Sequence, residues 1–530
     1  MPPNTSYSPA PFPAPLNSAP FSVNSDHVDT VESNGNHYMR AFYEYASTRV
    51  DHLPNGSVVA VPTRQQYEFR TNLSVPRVGV MLVGWGGNNG STLTASLLAH
   101  RAQLSWHTRE GLRNPTWFGS LCMASTIHLG IDSATGREVY VPFRDVLPML
   151  NPTDIVIGGW DINNANLAQA CHRARVLEYD LIQQLEKDLA VLQPLPGIYR
   201  PDFIARNQET RANNVIYGSL INQMEIIRND IRNFKSHHQL DKVIVVWTAN
   251  TERFVDIIPG VNDTATVFMD AINNDHDEIA PSSLYAVASI LEGAPFINGS
   301  PQNTFVPGLI QLAEQHGGFI AGDDFKSGQT KLKSVLVDFL VGAGIKPLAV
   351  TSYNHLGNND GYNLSSERQF RSKELSKRNV VDDVVDSNPI MFKPGESPDH
   401  VVVIKYVPSV GDSKRALDEY VSEIFMGGKS TIAIYNVCED SLLATPLIID
   451  LIILAELFTR IQYRIDSSTG NWHGLGPIMS FLAFMLKAPV VNGGEPIVNA
   501  LNRQRAALIN ILRACRGLPP VNDMLLELRL

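Results

Sequence analysis

The stretch that most constrains this 530-residue chain is the run Val78-Gly79-Val80-Met81-Leu82-Val83, followed at once by Gly84-Trp85-Gly86-Gly87-Asn88-Asn89-Gly90. A short apolar run meets a cluster of glycines, and a helix-like segment follows at 93–101. Strand, tight turn and helix N-terminus, in that order, are where a dinucleotide pyrophosphate can rest. Glycines let the backbone turn sharply and approach phosphate oxygens with no Cβ in the way. Gly84 and Gly86 fit G-x-G-x-x-G, but the third glycine falls at Gly90, one residue late. An ordinary strand-to-helix turn has the same signature, so the loop alone leaves both readings open.

Strand-like runs recur at 155–157, 242–247 and 347–352, and helical patterns lie between them at 163–185, 217–234 and 307–316. Strands alternating with helices predict a parallel sheet covered on its faces, an α/β fold. The periodic span 163–192 predicts one long helix. After about residue 330 the composition changes. A Lys/Arg/Asp-rich stretch (367–383) precedes a strand at 401–407, and an apolar helix at 442–460 reads as core again. The division predicted is an N-terminal tail and peripheral segment (1–72), a first part of a dinucleotide domain (73–328), an inserted domain (329–441) and a C-terminal return (442–530). Residues 1–26 are rich in Pro, Ser and Asn, and no Lys or Arg precedes Arg40. That suits neither a secretory signal nor a transit peptide, and predicts a disordered or peripherally packed tail.

A formal net charge of −10 argues against broad binding to nucleic acid or an anionic membrane. The apolar stretch 442–458 is interrupted by Pro446, Asp450 and Glu456, so it reads as a buried helix and not as a membrane span. Cys122, Cys171, Cys438 and Cys515 form no C-x-x-C pair, which suits a reducing cytosol and small core residues. No His/Asp/Glu spacing predicts a metal site.

A second unusual run is 352–365, where four Asn, one Asp and two Gly crowd together. As structure it predicts a chain of tight turns; as a site it offers short amide and carboxylate groups to a hydroxyl-rich ligand. His355 beside it reads as structural. Lys373 and Lys377 are four apart and share one face of any helix there. Lys414 lies in Gly411-Asp412-Ser413-Lys414. Lys487 interrupts an apolar run from Ile478 to Val491. Alone, each lysine is a solvated charge. Lys487 is the least ordinary, because apolar surroundings lower a lysine's pKa toward neutrality. For the ribose acid that follows a dinucleotide loop, Glu110 has the spacing, but Asp161 follows a convincing strand and is preferred; it would otherwise cap a helix from Asn163.

These runs, together with Trp247-Thr248-Ala249-Asn250-Thr251-Glu252, Asn298-Gly299-Ser300-Pro301-Gln302-Asn303, Gly322-Asp323-Asp324-Phe325-Lys326-Ser327-Gly328-Gln329 and Asn436-Val437-Cys438-Glu439-Asp440-Ser441, resemble the myo-inositol-1-phosphate synthase family of the eukaryotic type, in order and from about Asn72 onward. Val437 stands where that family commonly has threonine. The resemblance implies a Rossmann-type NAD-binding domain interrupted by an inserted α+β catalytic and oligomerisation domain. It implies NAD held by Gly84, Gly86, Gly87, Asn88, Asn89, Gly90, Asp161, Thr248, Ala249, Asp440 and Ser441. It implies a phosphate cradle of Ser327, Gly328, Gln329, Leu356, Asn358, Lys377 and Lys414, and catalytic roles for Lys373, Lys377, Lys414, Lys487, Asp324 and Asp360. The implied reaction is the redox-neutral conversion of glucose 6-phosphate to inositol 3-phosphate in a cytoplasmic homotetramer, with a monovalent cation or ammonium left open. Two other classes compete: a sugar-phosphate dehydrogenase that releases NADH each turnover, and a non-catalytic NAD-binding protein, which would leave Lys487 facing solvent.

Overall fold

Val78–Val83 is buried at every position and lies at the centre of a six-stranded sheet. Its side chains alternate between two cores. Val78, Val80 and Leu82 enter one, and Met81 and Val83 enter the other. Lys242–Trp247 beside it does the same, with Ile244 and Val246 on one face and Val243, Val245 and Trp247 on the other. Burial on both faces explains why these strands read as unbroken apolar runs. The computed structural model describes residues 21–465, 470–491 and 493–529.

Across the sheet the strands run Leu195–Pro196, Val156–Asp161, Val78–Val83, Lys242–Trp247, Phe296–Asn298 and Ile320–Ala321, every neighbouring pair parallel. Numbered along the chain, that is the order 3-2-1-4-5-6 of a dinucleotide-binding sheet, with the switch point between Val78–Val83 and Lys242–Trp247. Ligands in such sheets bind beyond the carboxyl ends of the strands at that switch.

A four-stranded mixed sheet follows, ordered Asp399–Tyr406, Lys346–Leu356, Ser413–Glu423 and Lys429–Glu439. The expected strands at 347–352 and 401–407 are its first two. The α/β reading, a Rossmann-type sheet interrupted by a second α+β unit, therefore holds. The helix Asp440–Thr459 then returns to the first unit and is buried along nearly its whole length. It is long and apolar enough to cross a membrane by length and composition, yet 83% of its apolar window is buried inside the protein. The three interruptions are each accommodated. Pro446 lies inside the helix without ending it. Asp450 accepts hydrogen bonds from the Ser120 hydroxyl and from Leu121 and Cys122 N–H. Glu456 pairs with Arg460 at 2.8 Å.

One expectation needs correction. The span 163–192 is two helices, Leu167–Ala174 and Tyr179–Ala190. Asn166 and Gln169 form a capping box at the first, and Arg175 ends it in the left-handed region (φ 53°) with its N–H on the Cys171 carbonyl. Periodicity registers a shared buried face but not a local break in the backbone. The peripheral segment up to residue 72 is built of strands. Val28–Ser33, Asn36–His52 and Val58–Asn72 form an antiparallel meander whose last strand pairs with Ile461–Ile465. Tyr67, Phe69 and Tyr463 cluster on that seam. Residues 1–20 of the expected tail lie outside the described residues, while Phe21 packs under the Arg516 guanidinium at 4.6 Å.

Candidate active site

The site is built on the carboxyl end of Val78–Val83. Gly84 has φ +84°, and a Cβ there would lie 2.6 Å from the Ala249 Cα. A Cβ on Gly86 would lie 3.1 Å from the Asp161 carboxylate, and one on Gly90 would lie 2.4 Å from the Trp85 carbonyl. The late third glycine thus still serves close packing, but from inside the helix. That helix spans Asn88–Ala102, five residues longer at its start than the sequence predicts. Its N-cap Gly87 supplies no side-chain cap and its first turn holds no acid. The first-turn N–H groups at Asn88, Asn89 and Gly90 therefore suit anionic oxygens.

Asp161 ends the neighbouring strand, and its Oδ1 accepts from Asn163 N–H at 2.9 Å. No helix starts at Asn163, so this is a local turn and not a cap. Glu110 lies in an exposed hairpin and pairs with Arg113 at 2.7 Å. Thr248 sits across the loop, with N–H and hydroxyl both donated to the Val83 carbonyl, which fixes the adjacent Ala249 against Gly84.

A cleft opens between this loop and the second sheet. Of the expected cofactor residues, Gly84, Gly87, Asn88, Asn89, Asp161, Thr248, Ala249, Asp440 and Ser441 line it, whereas Gly86 and Gly90 lie just behind the wall. Of the expected catalytic residues, Lys373, Lys414, Lys487, Asp324 and Asp360 line it, and Lys377 does not. Ser327 and Asn358 face the cleft; Gly328, Gln329 and Leu356 do not line it.

The four lysines come from three distant segments, and three of them meet two carboxylates. Lys373 and Lys377 project from the helix Glu367–Arg378. Lys373 Nζ donates to Asp324 Oδ1 at 3.0 Å, and Lys487 Nζ donates to both Asp324 oxygens at 3.1 Å. Ser376 donates to the second Asp324 oxygen. Lys414, in Ser413–Glu423, donates to Asp440 Oδ1 at 3.3 Å. Lys377 donates to Asn354 Oδ1 at 3.1 Å. Asp360 accepts from Thr251 N–H and hydroxyl, each at 3.4 Å.

This packing separates the charge states. Burial favours a neutral Asp324, but Lys373 and Lys487 outweigh it and hold the carboxyl well below its usual range. Burial also works against a charged Lys373, yet Asp324, Asp360 and Asp440 keep its ammonium above the usual lysine range. Lys487 goes the other way. Burial lowers it to about 7, with Asp324 opposing the shift and Lys373 and Lys414 adding to it. Lys377 is pushed well below the usual range by burial and then by Lys414 and Lys333. Burial raises Asp360. Neighbours of one residue type thus differ in protonation near neutrality, the condition for dividing acid, base and electrostatic work among them.

The other end of the cleft suits a phosphate. Ser327, the N-cap of Gly328–Gly342, lines the cleft and makes no side-chain cap, with the start of that helix directly behind it. Gln329 Nε2 is buried and has no hydrogen-bond partner among the described residues. Asn358 caps Asn359–Asn363 by accepting from Gly361 N–H at 2.9 Å, so the Asn-rich run is a strand end and a short helix, not a chain of turns. Leu356 is buried, and its carbonyl accepts from Val407 N–H at 2.8 Å.

Sequence reasoning passed over Asp412. Its carboxylate accepts from Ser441 N–H and hydroxyl at 2.8 Å each, from Asn88 at 3.3 Å and from Asn358 at 3.4 Å, joining loop, Asn-rich run and buried helix. It stands two residues before Lys414, where an acid beside a candidate lysine was the available signal. Ser376, Arg173 and Arg211 were also missed. Nothing local marks the two arginines, which the fold alone brings to the cleft. Among the described residues no three His, Cys, Asp or Glu side chains are grouped to hold a metal ion.

A family model described as Myo-inositol-1-phosphate synthase matches residues 78–513. This chain belongs to the myo-inositol-1-phosphate synthase family. An inositol-3-phosphate synthase of Spirodela polyrhiza is 58% identical over 496 residues, covering 93% of this chain and 97% of that one. An inositol-3-phosphate synthase crystal structure from Caenorhabditis elegans superposes with a TM-score of 0.93 at 50% identity, covering 96% of this chain and 98% of that chain. A related protein from Thermotoga maritima shares the fold at 19% identity, with a TM-score of 0.59. Family membership agrees with an NAD cofactor, and the cleft suits one: a glycine turn a Cβ would fill, an uncapped helix N-terminus and a strand-end acid. Val437, the one departure noted in a shared motif, is 51% exposed in Lys429–Glu439 and lies off the cleft.

Proposed function

We propose that this chain is an inositol-3-phosphate synthase, an isomerase that converts D-glucose 6-phosphate to 1D-myo-inositol 3-phosphate with no net redox change. The observation that carries this reading is the pair of lysines on one carboxylate, Lys373 and Lys487 on Asp324, at the mouth of a dinucleotide loop. Gly87, Asn88, Asn89 and Asp161 would hold NAD, which would supply a reversible hydride acceptor. The residues supply the rest. Lys487, buried with a value near neutrality, takes the proton from the C5 hydroxyl and gives it back. Lys373 stays charged and stabilises the oxyanions of enolisation and of C1–C6 ring closure, with Lys414 as a second cation. Asp324 fixes both Nζ positions. The Gly328–Gly342 N-terminus, Gln329 and Asn358 hold the phosphate and bring C1 over C6. Lys377, behind the wall, donates to Asn354 Oδ1, and burial with the neighbouring Lys414 charge holds it below the usual lysine range.

Lys487 is 3% exposed, which is not the solvent-facing lysine a binding-only protein predicts. The deciding experiment is incubation with glucose 6-phosphate and catalytic NAD. Inositol phosphate accumulating without net NADH supports the synthase; NADH rising in step with substrate loss supports a dehydrogenase.

The divisions near 73, 329 and 442 mark a cofactor domain interrupted by a catalytic one. The solvent face of the four-stranded sheet carries Tyr353, Leu417 and Tyr435, 45–64% exposed, a surface suited to burial in a homotetramer. Asp412 and Asp440 face one another with like charge, which gives a monovalent cation or ammonium a place beside Ser441. Four free cysteines agree with a cytoplasmic setting.

A further inference from the structure

We propose that Lys333 is a buried counter-charge for the substrate phosphate, acting from behind the wall of the cleft and held in place by His400. The inference rests on the reading of the Ser327 end of the cleft as the phosphate end. Lys333 lies on Gly328–Gly342, about 7.5 Å along the axis from its first residue. It stands four residues after Gln329, so the two share one face of that helix. Gln329 Nε2 is a buried donor with no partner among the described residues. Lys333 is itself buried and does not line the cleft. Its Nζ meets His400 Nε2, on the strand Asp399–Tyr406, at 2.8 Å. A charged ammonium can only donate, so the imidazole is the acceptor there and brings no balancing charge.

The surroundings leave positive charge in excess. Facing Lys333 are His400, Asp418 of Ser413–Glu423 and Lys377 of Glu367–Arg378. Asp418 is the acid of that set, and the Ser352 hydroxyl already donates to it. On the neighbouring helix Asp382–Asp386, Asp383 is turned to the N–H groups of Asn499 and Ala500. Neither Lys333 nor Lys377 forms an ion pair among the described residues. Burial lowers Lys333 to about 8, with Asp418 opposing the shift, so the ammonium persists at neutrality. After burial and Lys414, its charge is the next influence pushing Lys377 down. Lys377 in turn donates to Asn354, on the strand that leads into Asn358. Buried charges are rarely left unpaired, because an isolated charge is costly in a low dielectric. Two unpaired lysines behind one end of the cleft fit a ligand group that arrives with nearly two negative charges, as a phosphate monoester does.

The test is steady-state turnover of glucose 6-phosphate by the full-length protein near neutral pH, with inorganic phosphate as competitor. The variants are Lys333→Met, which removes the charge, Lys333→Arg, which keeps it, and Asp418→Asn, which removes the opposing acid; melting curves accompany each. At about 10 Å and an effective dielectric of about 20, one unit charge changes the affinity of an anion about tenfold. Lys333→Met should therefore raise KM and the inhibition constant of phosphate about tenfold, with kcat changed less than about threefold and NADH binding unchanged. Lys333→Arg should stay within about threefold of the unmodified protein. Asp418→Asn should tighten phosphate about threefold, the reverse of what a structural lesion does. Should Lys333→Met not fold, Asp418→Asn asks the same question with the opposite sign. A folded Lys333→Met protein with both constants unchanged would overturn the proposal. So would weaker phosphate inhibition in Asp418→Asn at an unchanged melting temperature. Absence of inositol phosphate formation by the unmodified protein would overturn the reading of the cleft itself, and the proposal with it.

Discussion

Replacing Asp324 with asparagine removes one charge and keeps the shape. Asp324 is 2% exposed and holds two ammonium groups at 3.0–3.1 Å. At 3.1 Å and an effective dielectric of about 20, Coulomb's law gives about 5 kcal/mol for each pair. Asparagine keeps one acceptor, and water entering from the cleft screens part of the field, so about half of that is the working figure. At 1.36 kcal/mol per unit, this is a fall of about 2 units for Lys487. The sign follows from the partner lost: Asp324 raises Lys487, so its removal lets Lys487 fall from about 7 toward about 5. The acid limb of the turnover profile should then move down by about 2 pH units. Lys373 also loses its anchor, and the rate at the new optimum should fall about 100-fold, as when one oxyanion donor is lost. The assay is inositol phosphate formation from pH 5 to 9, with a melting curve to show that the variant is folded. An acid limb that stays in place would refute the assignment of Lys487 as the base poised by Asp324.

Lys487→Ala should lose about 10²–10⁴-fold in turnover while NADH binding, followed by fluorescence, changes little. Gly84→Ala places a side chain at φ +84° and 2.6 Å from Ala249, so it should lower the melting temperature and weaken NADH binding together; normal binding at an unchanged melting point would contradict the geometry. Glu252 is fully buried, accepts from Ser282 N–H and hydroxyl at 3.1 and 2.6 Å, and is raised by burial from 4.5 to about 7. The fold favours its protonated form, so that stability is present below 4.5 and is lost as pH rises through 7, a change of about 3 kcal/mol. Glu252→Gln should therefore melt above the unmodified protein at pH 8, with the gap closing toward pH 5; a gap independent of pH would show that Glu252 is not the titrating group.

The parts of the fold legible in the sequence are those whose signal is local. Lys242–Trp247 and Pro307–His316 are readable because burial on both faces, or a proline start and glycine stop, is written in adjacent residues. The helix break at Arg175 is not, because a left-handed arginine carries no compositional mark. The meander before residue 72 was unread for another reason. Its strand pattern is mixed, with exposed positions on both faces toward the tip, so no clean alternation appears. In the site, Lys487 stood out by interrupting an apolar run. Asp324 was visible only through motif resemblance, since no periodicity says that Lys373, 49 residues away, will meet it. Asp412 and the two arginines depend on chain crossings that only the assembled sheets define.

The seam between Val58–Asn72 and Ile461–Ile465 has a consequence for synthesis. Thr71 leaves the ribosome 390 residues before its partner Ile461. At about 5–20 residues per second, the edge with Tyr67 and Phe69 waits roughly 20–80 s for its neighbour. During that interval it is an unpaired aromatic strand edge, open to pairing with another nascent chain. Lys487 emerges later still. A chain stopped short of its last 70 residues would therefore lack its base and leave its first strands searching for a partner, so loss of catalysis and a tendency to aggregate should appear together in any late truncation.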